Sequence, residues 1–217
     1  MSENLTRLEQ SDGVALLTLD RPAKRNALSR ALREELVARL DDLAKDDHVS
    51  VVILTGAGPV FCAGFDRSEF AGDKMDEVFS DAALYHQCVY TFVKPLVAAI
   101  NGPALGGGCD LAAMCDVRIA SRTATFGQPQ VRFGASAAYD LMREVLSTGA
   151  AREMCLTGRT YSCEEAVSLG LVSTVHEPEV LLDAARELAA SIATLPAGMP
   201  AQTKRLFVTQ QPELFEP

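Results

Sequence analysis

An α/β fold with largely parallel strand pairing is predicted by two regularities of the sequence and bounded by a third. Short apolar runs recur at VALLTL (14–19), VVILT (51–55), LVAAI (96–100), VRIA (117–120) and LVSTV (171–175). Their length and β-branched content mark strands. Segments with helical spacing lie between them, and this alternation argues for parallel pairing through crossover helices. The chain has 217 residues, 48% of them hydrophobic and 23% charged. That is enough for one core without cross-links.

The helices follow in order. Ser29 precedes a stripe of Leu32, Leu36, Leu40 and Leu43, so it is expected to cap a helix with one buried face. A second helix is expected over about 76–93, and a third from the glycines at 106–108 to Met114. In SCEEAVSLG, Ser162 and Glu165 have capping-box spacing, and Gly170 supplies the stop. Pro196 and Pro200 predict a break before a short last helix around 201–208. The organisation expected is a core over 1–195 and a short helical tail over 196–217.

Bulk properties exclude several classes. The net charge of −9 disfavours a general nucleic-acid binder. The six cysteines show no C-x-x-C and no metal-ligand spacing with histidine, so reduced, buried thiols and no metal site are expected. The polar N-terminus is unlike a signal peptide. Residues 95–109 are uncharged, but glycine and proline interrupt them and they are too short to span a bilayer. A cytoplasmic protein without membrane or nucleic-acid partners is the expectation.

The stretch GPALGGGCD (102–110) sets three glycines after a strand and ahead of a helix. Each glycine inside an element costs roughly 0.5–1 kcal/mol relative to alanine. A helix start offers N–H groups without intrahelical partners and favours negative charge. Phosphate binding, an oxyanion hole and plain close packing all remain open from this stretch alone, although the P-loop ending G-K-[ST] is absent. A second stretch, ILTGAGPVFCAGFD (53–66), also runs from strand to glycine-rich turn and offers another backbone donor at Phe65.

Together these stretches resemble the enoyl-CoA hydratase/isomerase, or crotonase, superfamily. The resemblance extends through LDRPAKRNALS (19–29), VFCAGFD (60–66), KPLVAAINGPALGGGCDLAAMCD (94–116), ATFGQPQ (124–130) and AREMCLTGRTYSCEEAVSLGLVSTV (151–175). It implies a spiral core of ββα turns with C-terminal helices, here shortened, in a homotrimer or homohexamer. It also implies an acyl-coenzyme A thioester as substrate and no separate cofactor. By matching positions, the N–H groups of Phe65 and Gly107 would bind the thioester oxygen, with Gly106 beside them. Arg21, Lys24 and Arg25 would meet the phosphates of coenzyme A, and Ala27, Ala63, Asp66, Arg67 and Ser68 would line the remainder.

The sequence departs from that pattern at the acids. Hydratases of the family carry two glutamates; here Asp110 stands at the first position and Gln130 at the second. An amide orients water but exchanges no proton at neutral pH. The segment FGASAAYDLMREVL (133–146) replaces the usual glycine-rich turn. Asp140 and Tyr139 on this segment, and His86 on the second helix, are alternative acid/base candidates. The plainer alternatives are a first-turn acid, a packed tyrosine and a helix histidine. Ser136 is expected to cap a helix, and Asp116 to be structural. Two classes of function follow: a hydratase- or isomerase-like enzyme (a decarboxylase or thioesterase of the same superfamily being a variant), or an acyl-CoA binder that has lost proton transfer.

Overall fold

The computed structural model describes residues 4–70 and 75–210, with the side chains of 70, 75–80 and 209–210 left aside. Along the chain it forms β1 (Thr6–Ser11), β2 (Val14–Leu19), α1 (Arg30–Lys45), β3 (Val51–Gly56), α2 (Met75–Tyr90), β4 (Leu96–Ile100), β5 (Ala104–Leu105), α3 (Gly107–Met114), β6 (Val117–Ser121) and β7 (Thr125–Gly127). Then follow α4 (Tyr139–Val145), α5 (Thr148–Thr157), β8 (Thr160–Ser162), α6 (Cys163–Ser168), β9 (Thr174–His176), α7 (Leu181–Ala193) and α8 (Met199–Gln210). Short 3-10 turns cover Pro22–Lys24, Arg67–Phe70 and Pro129–Phe133.

The larger sheet has the order β1-β2-β3-β4-β6-β9. Only the β1–β2 pair is antiparallel; β2–β3, β3–β4, β4–β6 and β6–β9 are parallel. A small sheet, β5-β7-β8, is drawn from segments between β4 and β9 in the chain. Both faces of the larger sheet are covered, which is why its central strands read as continuous apolar runs. Val51, Ile53, Val97, Ala99 and Ile119 face Leu181, Ala185 and Ala189 of α7. Alternate residues Val52, Leu54, Leu96, Ala98 and Ile100 join the main core with the leucine stripe of α1 and the whole of α3.

Local chemistry sets most helix ends. Ser29 Oγ accepts from Leu32 N at 3.4 Å, and the capping box of Ser162 and Glu165 is complete. Gly170 follows α6 with φ +79°. Three expectations are corrected. Leu171 and Val172 are buried in the turn after α6 rather than paired, so the last strand covers only Thr174–His176. Pro200 lies inside the first turn of α8, where a missing N–H costs nothing, so that helix starts earlier than expected. Ser136 does not cap α4; the cap position falls on Ala138, without a side-chain bond. The tail docks through an ion pair between buried Lys204 and half-buried Asp116: Lys204 Nζ of α8 lies 2.7 Å from Asp116 Oδ2, just past α3. No helix among the described residues is long and apolar enough to cross a membrane.

Candidate active site

Two loops meet at the start of α3. Residue 62 pairs with residue 104 and residue 65 with residue 28, each as an isolated parallel bridge. Leu28 N donates to Gly64 O and Asp66 N to Leu28 O, at 2.8 and 3.3 Å. These bonds take the groups on either side of Phe65, so the N–H of Phe65 itself points away from Leu28. Leu105 to Gly107 lie close by: a β-carbon on Gly64 would stand 2.7 Å from Leu105 O and 3.2 Å from Gly107 N. The N–H of Gly107, first in its helix, donates to nothing among the described residues.

The glycines are required by this approach. Gly106 adopts φ +53° and its N–H donates to Gly127 O at 2.9 Å. A β-carbon on Gly107 would stand 2.7 Å from the Phe65 ring, and one on Gly108 only 2.1 Å from Cys62 O. Backbone contact accounts for Gly108, while Gly106 lies against the Gln130 side chain and Gly107 against the Phe65 ring.

One turn along α3, Asp110 is buried, with 3% exposure. Gln128 Nε2 donates to its Oδ1 at 2.7 Å, and Gln130 Nε2 donates to Gln128 Oε1 at 2.5 Å. Gln130 Oε1 is buried and has no hydrogen-bond partner. It lies next to Gly106, 3.2 Å from where a β-carbon would be. Burial pushes the Asp110 carboxyl up to about 7, against the bond from Gln128, which lowers it. The result is a carboxyl able to gain or lose a proton near neutral pH, one turn along the helix that Gly107 opens.

Gln128 is the residue that sequence reasoning missed. The signal was present, since two glutamines flank Pro129, and a side chain two positions before Gln130 reaches the same side of the turn. Asn26, wholly buried with φ +52°, was missed as well. Its amide donates to Ala57 O and Val60 O and its Oδ1 accepts from Arg21 N, which ties the first basic loop to the turn before Cys62.

The other candidates divide. Arg21 is committed inside the protein: Nη1 donates to Ala27 O at 2.5 Å, and Nη1 and Nη2 each lie 3.2 Å from Asp66 Oδ2. Burial raises the Asp66 carboxyl, but bonds from Ser68 and Arg21 outweigh it and hold the pKa below its ordinary value. Lys24 and Arg25 are exposed; Ala27 and Ala63 are half-buried. Arg67 is exposed and stacks on Phe133, 4.8 Å from the ring centroid. His86 packs against Phe65, with ring centroids 6.0 Å apart. Burial and the charge of Arg33 hold its pKa down to about 4, so it is neutral at pH 7 and is no acid there. Asp140 is exposed and lies 3.5 Å from Arg143, and Tyr139 packs against the main core. The hydrogen bond to the Asp110 carboxyl comes from Gln128 and not from either of them. Among the described residues no cluster of three or more His, Cys, Asp or Glu is arranged to hold a metal ion.

Residues 9–213 match the family model described as enoyl-CoA hydratase/isomerase. The chain belongs to that family. It is 39% identical over 199 residues to the 2,3-dehydroadipyl-CoA hydratase of Escherichia coli K12, covering 89% of this chain and 76% of that protein. To a probable enoyl-CoA hydratase of Rhizobium meliloti it is 39% identical over 208 residues, covering 93% and 81%. The crystal structure of an enoyl-CoA hydratase from Bacillus anthracis superposes with a TM-score of 0.90 at 33% identity, over 94% of this chain and 82% of that one. The protein thus has the fold of the enoyl-CoA hydratases and is an enoyl-CoA hydratase/isomerase-like enzyme acting on an acyl-CoA thioester.

Proposed function

We propose that this member of the enoyl-CoA hydratase/isomerase family binds its thioester carbonyl oxygen between the N–H groups of Phe65 and Gly107, and uses Asp110 as its proton carrier. The observation that carries the reading is the buried Asp110 carboxyl, set one helical turn beyond the Gly107 N–H and titrating near 7. A pKa near the working pH suits a group that must both take and return a proton.

In hydration, a water oxygen forms its bond to C3 while Asp110 takes a proton from that water. The electrons of the double bond move onto the thioester oxygen, and the two amides stabilise the enolate. Asp110 then returns its proton to C2, which completes the addition of water. Removing one donor from such a hole typically costs about 2.7–4 kcal/mol of transition-state stabilisation. Gln130 presents an acceptor oxygen, since its Nε2 is used by Gln128. It therefore orients the water by accepting one of its hydrogens. With a 3-enoyl thioester, the same carboxylate removes a proton from C2, the two amides hold the resulting dienolate, and the proton is returned to C4, which is isomerisation.

Exposed Lys24 and Arg25 supply cations for the coenzyme A phosphates, while Arg21 acts through its clasp on Asp66. No cofactor beyond the substrate's coenzyme A enters this chemistry. Exposed Leu195, Met199 and Phe207 favour self-association, consistent with a trimer or hexamer.

The test is turnover of crotonyl-CoA, followed by loss of the conjugated absorbance, alongside direct measurement of binding. Loss of turnover in Asp110→Asn with binding retained supports the reading. Retained turnover in that variant sinks Asp110 as proton carrier, and binding without turnover in the unaltered protein leaves a non-catalytic acyl-CoA binder.

A further inference from the structure

Behind the proposed thioester site lies a cation that the mechanism does not use. Arg33 stands in the stripe of α1 between Leu32 and Leu36 and is 2% exposed. Its Nη1 donates to Leu28 O at 2.8 Å and to Glu69 Oε2 at 3.0 Å. Its Nε and Nη2 are buried and have no hydrogen-bond partner. Nε and Nη2 form one edge of the guanidinium, with their N–H groups parallel, the arrangement that grips an oxygen acceptor side-on. A buried donor left unmade costs about 1–3 kcal/mol, more when charged, so two on one edge call for an explanation.

The surroundings show where this edge lies. The guanidinium carbon sits over the Phe65 ring, 5.3 Å from its centroid. The same ring rests against Gly107, the proposed thioester position. His86 packs on Phe65 and Tyr85, and the Tyr85 hydroxyl is also buried without a partner. The wall thus holds donors of Arg33 and Tyr85 that make no hydrogen bond, and an uncharged imidazole.

Resting on the acyl-CoA reading above, we infer that Arg33, with Tyr85, forms a distal subsite for an uncharged oxygen acceptor, such as a keto group, on the acyl chain. An acyl chain leaving the thioester and passing the edge of the Phe65 ring reaches this wall. Nearby charge selects the uncharged acceptor over a carboxylate. Glu69 already bonds Arg33, and Asp81 Oδ2 lies 3.9 Å from Nη2. Arg30 adds one further cation, but Glu34 and Asp81 both lie against it. These five groups carry a net charge of about −1, so a second anion at the edge of Arg33 meets repulsion.

The experiment compares three six-carbon thioesters by calorimetric titration: hexanoyl-CoA, 5-oxohexanoyl-CoA and adipyl-CoA. The unaltered protein is expected to bind the ketone about tenfold more tightly than hexanoyl-CoA, the gain of a hydrogen bond to a charged group. Adipyl-CoA is expected to bind more weakly than the ketone. Arg33→Leu is expected to bring the ketone-to-hexanoyl ratio to about one. Arg33→Lys, which keeps a cation but loses the two-toothed edge, is expected to reduce the ratio and carries the test if the leucine variant does not fold. Equal binding of ketone and hydrocarbon in the unaltered protein overturns the subsite, as does a ratio that survives both substitutions. Tightest binding of adipyl-CoA overturns the preference for an uncharged acceptor. Failure of all three thioesters to bind overturns the acyl-CoA reading itself, an outcome distinct from the others.

Discussion

Gln128 Nε2 donates to Asp110 Oδ1 at 2.7 Å, so the one buried carboxyl of the candidate site leans on an amide instead of a cation. A neutral partner compensates burial only in part, which is why the Asp110 pKa stands at about 7 rather than near 3.8. The stability consequence has a definite sign. The folded protein keeps a proton on Asp110 that the unfolded chain has already released, between pH 3.8 and about 7. Stability from this group is therefore fully present below pH 3.8 and is lost as pH rises to about 7. Asp110→Asn cannot ionise. Its stability advantage over the unaltered protein is expected to be near zero at the acid end and to grow to a few kcal/mol above neutrality. Urea titrations at several pH values measure it; a pH-independent difference contradicts the burial of an ionising carboxyl.

Activity follows the same group. The carboxylate form that accepts the first proton grows as pH rises through about 7, so kcat/KM is expected to climb through that value on its acid limb. In Asp110→Asn the limb disappears and turnover falls by about 10²–10⁴. A pH–rate profile of crotonyl-CoA hydration reads both.

Gln130→Glu supplies the second carboxyl that the family resemblance leads one to expect at this position, and the hydrogen-bond chain predicts its effect. Gln128 Oε1 now accepts from Gln130 Nε2. A carboxylate offers no such donor, so Gln128 turns its amide toward the new group and presents its carbonyl oxygen to Asp110. Losing its donor and gaining an anionic neighbour both raise the Asp110 pKa. The acid limb of kcat/KM is expected to move to higher pH, even as the maximal hydration rate rises. An unmoved limb means that Gln128 does not couple the two positions.

How far all this was legible depends on what each segment buries. The central strands β2, β3, β4 and β6 are covered on both faces and read plainly as apolar runs. The edge strand β1, TRLEQS, buries little beyond Thr6, and its polar sequence hides it. β5, β7 and β8 have two or three residues each, too few for periodicity to register. In the site, Gly106 to Asp110 and Gln130 stand out because glycine runs and motif departures are local. Gln128, Asn26 and Arg33 do not, because their roles depend on which distant backbone or side chain faces them. Arg33 reads as the polar side of an amphipathic helix, yet it is buried because the Arg67–Phe70 turn folds over it through Glu69.

Gly107→Ala and Gly108→Ala separate function from packing. At Gly108 the new carbon would lie 2.1 Å from Cys62 O, which is backbone and cannot swing aside. That substitution is expected to cost at least about 3 kcal/mol and to lower the yield of folded protein. At Gly107 the carbon would meet side chains alone, the edge of the Phe65 ring at 2.7 Å and Leu28 Cδ1 at 3.4 Å, and side chains can shift. Stability is expected to fall by about 1 kcal/mol, whereas displaced donors reduce kcat/KM by about 100-fold. Thermal melts beside kinetics distinguish the two; equal stability losses contradict the proposed division.

The last prediction concerns the docking of α8. Lys204 is buried against half-buried Asp116, and its Nζ also donates to Lys94 O at 3.1 Å. Asp116 Oδ2 in turn accepts from Leu96 N at 2.7 Å, so the pair fastens the last helix to the entry of β4. Burial raises the Asp116 pKa in spite of Lys204, so the carboxylate is short of solvation even with its cation in place. Lys204→Met leaves a half-buried carboxyl without its bonded cation and is expected to cost about 2–3 kcal/mol, less than for a fully buried pair because Asp116 keeps some exposure and the charge of Arg118. The double variant Lys204→Met, Asp116→Asn removes both charges while an amide oxygen still accepts from Leu96 N. It is expected to recover most of that loss, because the penalty lies in the orphaned charge rather than in the missing attraction. Urea unfolding of the single and double variants decides it. A double variant no more stable than Lys204→Met alone means that the attraction between the pair, and not relief of desolvation, holds α8 in place.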